Sequence, residues 1–194
     1  MLQTFADNAP AMRAAGWAVL PGSGKSPQVN GFTTWKHAPG AETVARWVKL
    51  KPASDILYVP GLCRTPKGEG IVTVDPDDEN AIGQVDELFG PTPGKVRTRR
   101  AAHRIFEAAG LNLGDVTSLR RYGFNIDLKH GQHGAGIAVG PPSTHEKDRT
   151  FRYRWDGCDE TVLRHLPPFP IEKLRAFLDK HTEAAAGRLT QARC

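Results

Sequence analysis

Four polar residues stand at expected strand positions where a fold has no need of them: Asp75, Asp77, His103 and Asp127. Gly70–Asn80 reads Gly-Ile-Val-Thr-Val-Asp-Pro-Asp-Asp-Glu-Asn, a β-branched run that stops in acids. β-Branched side chains suit a pleated surface, so Ile71–Val74 predicts a buried strand. Side chains alternate along a strand, which turns Asp75 and Asp77 to the same face. Asp127 lies between Ile126 and Leu128 in a second alternating segment, and His103 follows a run of arginines. Taken singly, each has an ordinary reading: a polar turn with Asp78 capping the next helix, a solvent-facing strand acid, a surface histidine. Taken together, the carboxylates form a cluster of like charge that is stable only when cations neutralise it. Hard divalent cations take oxygen ligands, and Mg²⁺ is typically held by one or two carboxylates plus substrate phosphates. Two such ions would orient an attacking hydroxyl and a triphosphate. A nearby histidine and arginines would grip the triphosphate oxygens.

The chain of 194 residues carries a net charge of +5, and its cations cluster. Lys95, Arg97, Arg99, Arg100 and Arg104 form one group; Arg120, Arg121 and Lys129 follow, then Lys147, Arg149, Arg152 and Arg154. Clustered cations beside acids fit a polyanionic partner handled through a metal, or more plainly a solvated basic surface. A hydrophobic content of 39% with 24% charged residues is an ordinary soluble, globular profile. No apolar run approaches the roughly 18 residues of a membrane span, and Met1–Pro10 has no signal-peptide pattern. Cys63, Cys158 and Cys194 form no Cys-x-x-Cys pair, which argues against a zinc ribbon and suits a reducing cytoplasm. Gly22-Ser-Gly-Lys-Ser26 is not a Walker A loop, because Val19 stands where the first glycine belongs. It reads as a strand-exit loop with an exposed Lys25.

The elements that must position these residues follow from periodicity and punctuation. Helices are expected at Thr4–Ala15, Gly40–Leu50, Glu79–Leu88 and Ile171–His181. Strands are expected at Trp17–Pro21, Asp55–Gly61, Ile71–Val74, Lys95–Arg99, Phe124–Lys129, Gly136–Gly140 and Phe151–Trp155. Ala102–Phe106 reads as the second arm of a hairpin with Lys95–Arg99, or, on its alanines, as part of a helix over Ala101–Gly110. Because the strands gather in the second half, the fold expected is α+β. Residues 183–194 read as a tail.

The succession resembles the Prim-Pol domain of the archaeo-eukaryotic primase superfamily, the bifunctional DNA primase/polymerase type. The resemblance covers Gly16 to about Trp155. Gly16-Trp-Ala-Val-Leu-Pro with Gly24-Lys25-Ser-Pro27 is similar to the family's opening segment. Val72-Thr-Val-Asp-Pro-Asp77 resembles its first motif, Val96-Arg-Thr98 through His103 to Phe106 its second, and Asn125-Ile-Asp127 its third. Ala138-Val-Gly-Pro-Pro-Ser143 and Tyr153-Arg-Trp155 are similar to the closing strands. The resemblance implies that Asp75, Asp77 and Asp127 bind Mg²⁺ or Mn²⁺ and that His103 holds the triphosphate. Lys25, Arg99, Arg104 and Ser143 become further candidates for phosphate contact. It also implies a single domain over 1–182: an N-terminal α/β unit (about 1–66), an RRM-like mixed or antiparallel catalytic sheet (about 67–157) and a C-terminal helix (about 170–182). Single-stranded DNA, an NTP or dNTP and a replicative helicase are the partners such a domain would meet.

Two residues depart from the pattern. The family usually has Gly-Gly shortly before the histidine, where this chain has Ala101-Ala102, and Pro76 between the acids carries no N–H. Two other activities remain open at this point: a non-catalytic nucleic-acid-binding accessory of the same fold, and a metal-dependent nicking endonuclease using Tyr122 with His130 and His133.

Overall fold

The computed structural model describes residues 3–111, 113, 116–130 and 136–191, the last nine as backbone. In chain order the elements are α1 (Thr4–Ala14), β1 (Val19–Ser23), β2 (Ser26–Pro27), α2 (Ala41–Leu50), β3 (Asp55–Tyr58), β4 (Ile71–Pro76), α3 (Glu79–Phe89), β5 (Gly94–Arg97), β6 (Ala102–Glu107), β7 (Ile126–Lys129), β8 (Ala138–Gly140), β9 (Thr144–His145), β10 (Asp148–Arg152), β11 (Arg154–Trp155) and α4 (Ile171–Gln191). The fold is α+β, as expected. Ala102–Glu107 is the hairpin strand, not a helix, and α4 continues as backbone helix to Gln191 rather than fraying after residue 182.

Two sheets carry the chain. The larger has the order β11-β5-β6-β4-β7, with every neighbouring pair antiparallel. Here β4, α3 and β5 make a βαβ unit split by β6, the arrangement of ferredoxin- and RRM-like sheets. The smaller has the order β2-β1-β3-β8. Its last strand comes from the segment expected in the catalytic part: β8 pairs with β3, joining Leu57 to Val139. The N-terminal unit is therefore completed by a strand from far down the chain.

Alternation gives the large sheet two different faces. Val72, Val74, Phe106, Ile126 and Leu128 turn one way and pack with Val85 and Phe89 of α3, Leu174 of α4 and Phe169. Ile71, Val96 and Ile105 turn the other way, into the core shared with the small sheet and α1. A buried contact ties the two sheets together: the Tyr58 hydroxyl of β3 lies 3.2 Å from Thr73 Oγ1 of β4. Beyond Thr73 on that inner face comes Asp75. Among the described residues, no helix is long and apolar enough to cross a membrane.

Candidate active site

The β4–β7 register sets Asp75 directly opposite Asp127. Opposed residues of an antiparallel pair project from the same face with Cα atoms about 4.5–5.5 Å apart. Two like charges so placed repel unless something answers them. On the other side, the β4–β6 ladder runs from Ile71↔Glu107 to Val74↔Arg104, and His103 stands next to Asp75. Its Nε2 lies 3.1 Å from Asp75 Oδ1. The Lys129 ammonium, two residues beyond Asp127 and so on the same face, contacts Asp75 Oδ2. Burial alone would push the Asp75 carboxyl up. The His103 and Lys129 charges and hydrogen bonds outweigh it and hold the group well below the usual carboxylate range. Asp75 is thus an ionised acceptor at any working pH, not a proton donor.

Asp77 and Asp127 are answered by one cation. Arg120 comes from a 3₁₀ turn, Arg120–Tyr122. It forks onto Asp127, with Nε 3.2 Å from Oδ1 and Nη2 3.3 Å from Oδ2, and it also touches Asp77. Its Nη1 donates to Asn125 Oδ1 at 2.8 Å, and Asn125 Nδ2 donates to Asp78 Oδ2 at 2.9 Å. Asp78 keeps the plain role expected of it, accepting from the Ala81 N–H as the N-cap of α3. Pro76 pairs with Ile126 of β7, and Asp77 N donates to Asn125 O at 2.9 Å. Alternation puts the missing Pro76 donor on the β6 side, past the last rung of that ladder. The proline therefore leaves no ladder hydrogen bond unmade.

Asp75, Pro76, Asp77, His103 and Lys129 floor a cleft of about 260 Å³ between the two sheets. Lys25, Arg99, Arg100 and Lys147 line it, with Tyr153, His145 and Glu146. One side of the rim is built from two hairpins pinned by a single carboxylate. Asp55 Oδ2 accepts from Gly24 N at 2.8 Å and Asp55 Oδ1 from Thr144 N at 2.9 Å. Gly24 has φ +57°, and a Cβ there would lie 2.7 Å from Glu146 Cβ, so the contact between the hairpins needs glycine. Burial pushes the Tyr153 hydroxyl up to about 12, with Asp75 adding to it. His145 is shifted down by burial and by the nearby Arg99 and Lys25 charges. The His103 ring is buried, and its Nδ1 has no hydrogen-bond partner among the described residues.

Not every expected residue reaches this cleft. Asp75, Asp77, His103, Lys25 and Arg99 line it, and Asp127 stands beside it through its pairing with Asp75. Arg104 does not, because it follows His103 on the same strand and alternation sends it to the opposite face. There its guanidinium grips Asp86 of α3 at 3.1 and 3.3 Å. Ser143 is fully buried, its hydroxyl spent on Ile56 N and Ile56 O of β3 at 2.7 and 3.1 Å. Ala101 and Ala102 are buried without positive φ, so alanine costs the backbone nothing there. Sequence reasoning missed Lys129, Arg120 and Tyr153 as site residues. For Lys129 the signal was present, since it shares the Asp127 face by period two. Of the residues considered for a nickase, Tyr122 packs on Phe177 and His181 of α4 whereas His130 lies by Gly61 and Arg64, and His133 is outside the described residues.

Among the described residues, no group of three or more His, Cys, Asp or Glu side chains is arranged to hold a metal ion. The donor set nevertheless suits a divalent cation. It consists of carboxylate oxygens alone, and a guanidinium already bridges Asp77 and Asp127 as a cation would.

The family model for the bifunctional DNA primase/polymerase N-terminal domain, Prim-Pol, matches residues 9–170. The chain belongs to the Prim-Pol family. No curated protein matches it significantly. The match spans the resemblance carried by Val72–Asp77, Val96–Phe106 and Asn125–Asp127, and extends past both its ends. Prim-Pol membership places the chain among DNA primases and polymerases, an enzyme family whose substrates are DNA and nucleotides.

Proposed function

We propose that this Prim-Pol chain is a template-directed nucleotidyltransferase that makes or extends primers on single-stranded DNA in the cytoplasm. The observation that carries the reading is the opposed pair Asp75 and Asp127, with His103 beside Asp75, at the base of a cleft lined by cations. A 3′-hydroxyl attacks the α-phosphate of an NTP or dNTP, the new phosphodiester forms, and pyrophosphate leaves. Asp75, Asp77 and Asp127 would hold Mg²⁺ or Mn²⁺, which when bound neutralises phosphate charge and lowers the pKa of the attacking hydroxyl. The chain's own part is positioning and charge. His103, Lys25, Arg99 and Arg100 bind the triphosphate, and the two hairpins pinned by Asp55 hold Lys25 and Lys147 over the cleft.

The test is incubation with single-stranded template, labelled nucleotides and Mn²⁺ or Mg²⁺, beside an Asp75→Ala/Asp77→Ala variant. Template-dependent product from the wild type alone is the expected result. Equal activity in the variant would remove these carboxylates from the chemistry.

One observation favours a second reading. Each of the three carboxylates already has a protein cation, Lys129 on Asp75 and Arg120 on Asp77 and Asp127. A non-catalytic accessory that binds nucleotide or template would keep such pairs closed permanently. It would bind template in the same incubation and incorporate nothing.

A further inference from the structure

A second feature of the molecule runs away from the cleft. The β1–β2 hairpin and β9 border the cleft through Lys25 and His145. On their other side, Ser23 and Thr144 line a shallow groove with Arg149, Arg152 and Lys51. Lys51, Leu50 and Gln28 in turn line a second groove along α2, of about 690 Å³, with Arg46, Trp35 and Trp47. Gln28, Leu50 and Lys51 are walls of both grooves, which makes the two one continuous path, and the β1–β2 hairpin and β9 stand between that path and the cleft.

The chemistry of that path is uniform. Among the described residues, Lys25, Lys51, Arg46, Arg149 and Arg152 make no ion pair, whereas Arg104, Arg120 and Lys129 are each matched to a carboxylate. The one acid among the described residues lining the outer two stretches, Asp55, spends both oxygens on the Gly24 and Thr144 amides. At the far end Trp35 stacks on Trp47, rings 6.0 Å apart at 15°, and Leu50 beside them is 70% exposed. A line of unanswered cations ending at an aromatic platform is what a single strand with unpaired bases requires. Duplex DNA would offer the phosphates but no free base face.

We infer that the path from Arg149 and Arg152 past Lys51 and Arg46 to Trp35 is a binding track for single-stranded nucleic acid entering or leaving the cleft. The track rests on the proposed polymerase reading for its direction but not for its binding. It is tested without nucleotide or metal, by titrating a labelled oligo-dT and its duplex over a salt series into the wild type and into Arg46→Glu/Lys51→Glu, Arg149→Glu/Arg152→Glu, Trp35→Ala and Trp35→Phe proteins, with thermal melting as the folding control. Each charge-reversal pair should weaken single-strand binding at least about tenfold and flatten the salt dependence by about one unit of slope for each phosphate no longer neutralised. Trp35→Ala should weaken it at least about fivefold with the slope unchanged, and Trp35→Phe should restore it. Unchanged affinity and slope in folded charge-reversal proteins would overturn the track, as would equal losses on duplex. Failure of the polymerase reading alone would instead show as intact, track-dependent binding with no nucleotide incorporation.

Discussion

Lys129→Met removes the ammonium that answers Asp75 and leaves its other partner, the His103 ring at 3.1 Å, in place. The side chains concerned are mostly inside: Asp75 is 15% exposed and Lys129 22%. Breaking a fully buried ion pair costs about 3–5 kcal/mol. A charged hydrogen bond is worth about 1.5–3 kcal/mol. With His103 retained and Lys129 partly solvated, the lower range applies, about 2 kcal/mol, or a melting temperature lower by roughly 4–8 °C for a chain of this size. Asp75→Asn should cost a similar amount, because it leaves the Lys129 ammonium without its counter-charge. The double variant should cost less than the sum, with a coupling of about 1–2 kcal/mol. Urea unfolding in chelator, at neutral pH, gives all four corners of the cycle. The pH dependence has a defined sign. The Asp75 pKa in the folded protein lies below the unfolded value near 3.9. Its stabilisation is therefore fully present above about pH 5 and drains away as the pH falls through that value towards the folded pKa. The Asp75→Asn protein should lose less stability than the wild type over the same acid range. Full stability in the Lys129→Met protein, or strict additivity in the double variant, would refute the pairing.

Other substitutions separate grip, competition and scaffold. His103→Ala should raise KM for the incoming nucleotide roughly tenfold or more with a smaller change in kcat, measured by steady-state primer extension. Arg120→Gln removes the guanidinium shared by Asp77 and Asp127. Because exposed pairs are worth at most about 1 kcal/mol, Mn²⁺ binding by calorimetry should tighten by up to about fivefold, and weaker binding would mean that Arg120 holds the pair together. Arg104→Ala should lower thermal stability through loss of Asp86 while leaving KM for nucleotide unchanged.

Period two made much of the site legible. It turned Asp75 and Asp77 to one face and identified Val72 and Val74 as core. The same rule separates His103 from Arg104 and joins Lys129 to Asp127, two consequences that a search for phosphate-binding side chains passes over. Register was not legible, since nothing local to Val72–Asp77 or Asn125–Asp127 says that their strands pair with Asp75 against Asp127. Nor was the departure of β8 to the smaller sheet, which depends on Val139 and Gly140 meeting Leu57 and Ile56 from far away in sequence. Ser143 lies just beyond that strand, and its hydroxyl is taken by the Ile56 backbone for the same reason. Arg120 sits in a 3₁₀ turn with no periodic pattern to aim it. Its partners become visible only when Asn125 and Asp127 are placed.

The most direct test of the nucleotidyl-transfer centre is formation of labelled primer and pyrophosphate by the purified chain on single-stranded template with Mn²⁺, compared with Asp127→Asn, the variant of the acid opposite Asp75. Template-dependent product from the wild type, and none from the variant at unchanged melting temperature, is the predicted result. A wild-type protein that binds nucleotide and Mn²⁺ yet yields no product, or a variant as active as the wild type, would contradict it.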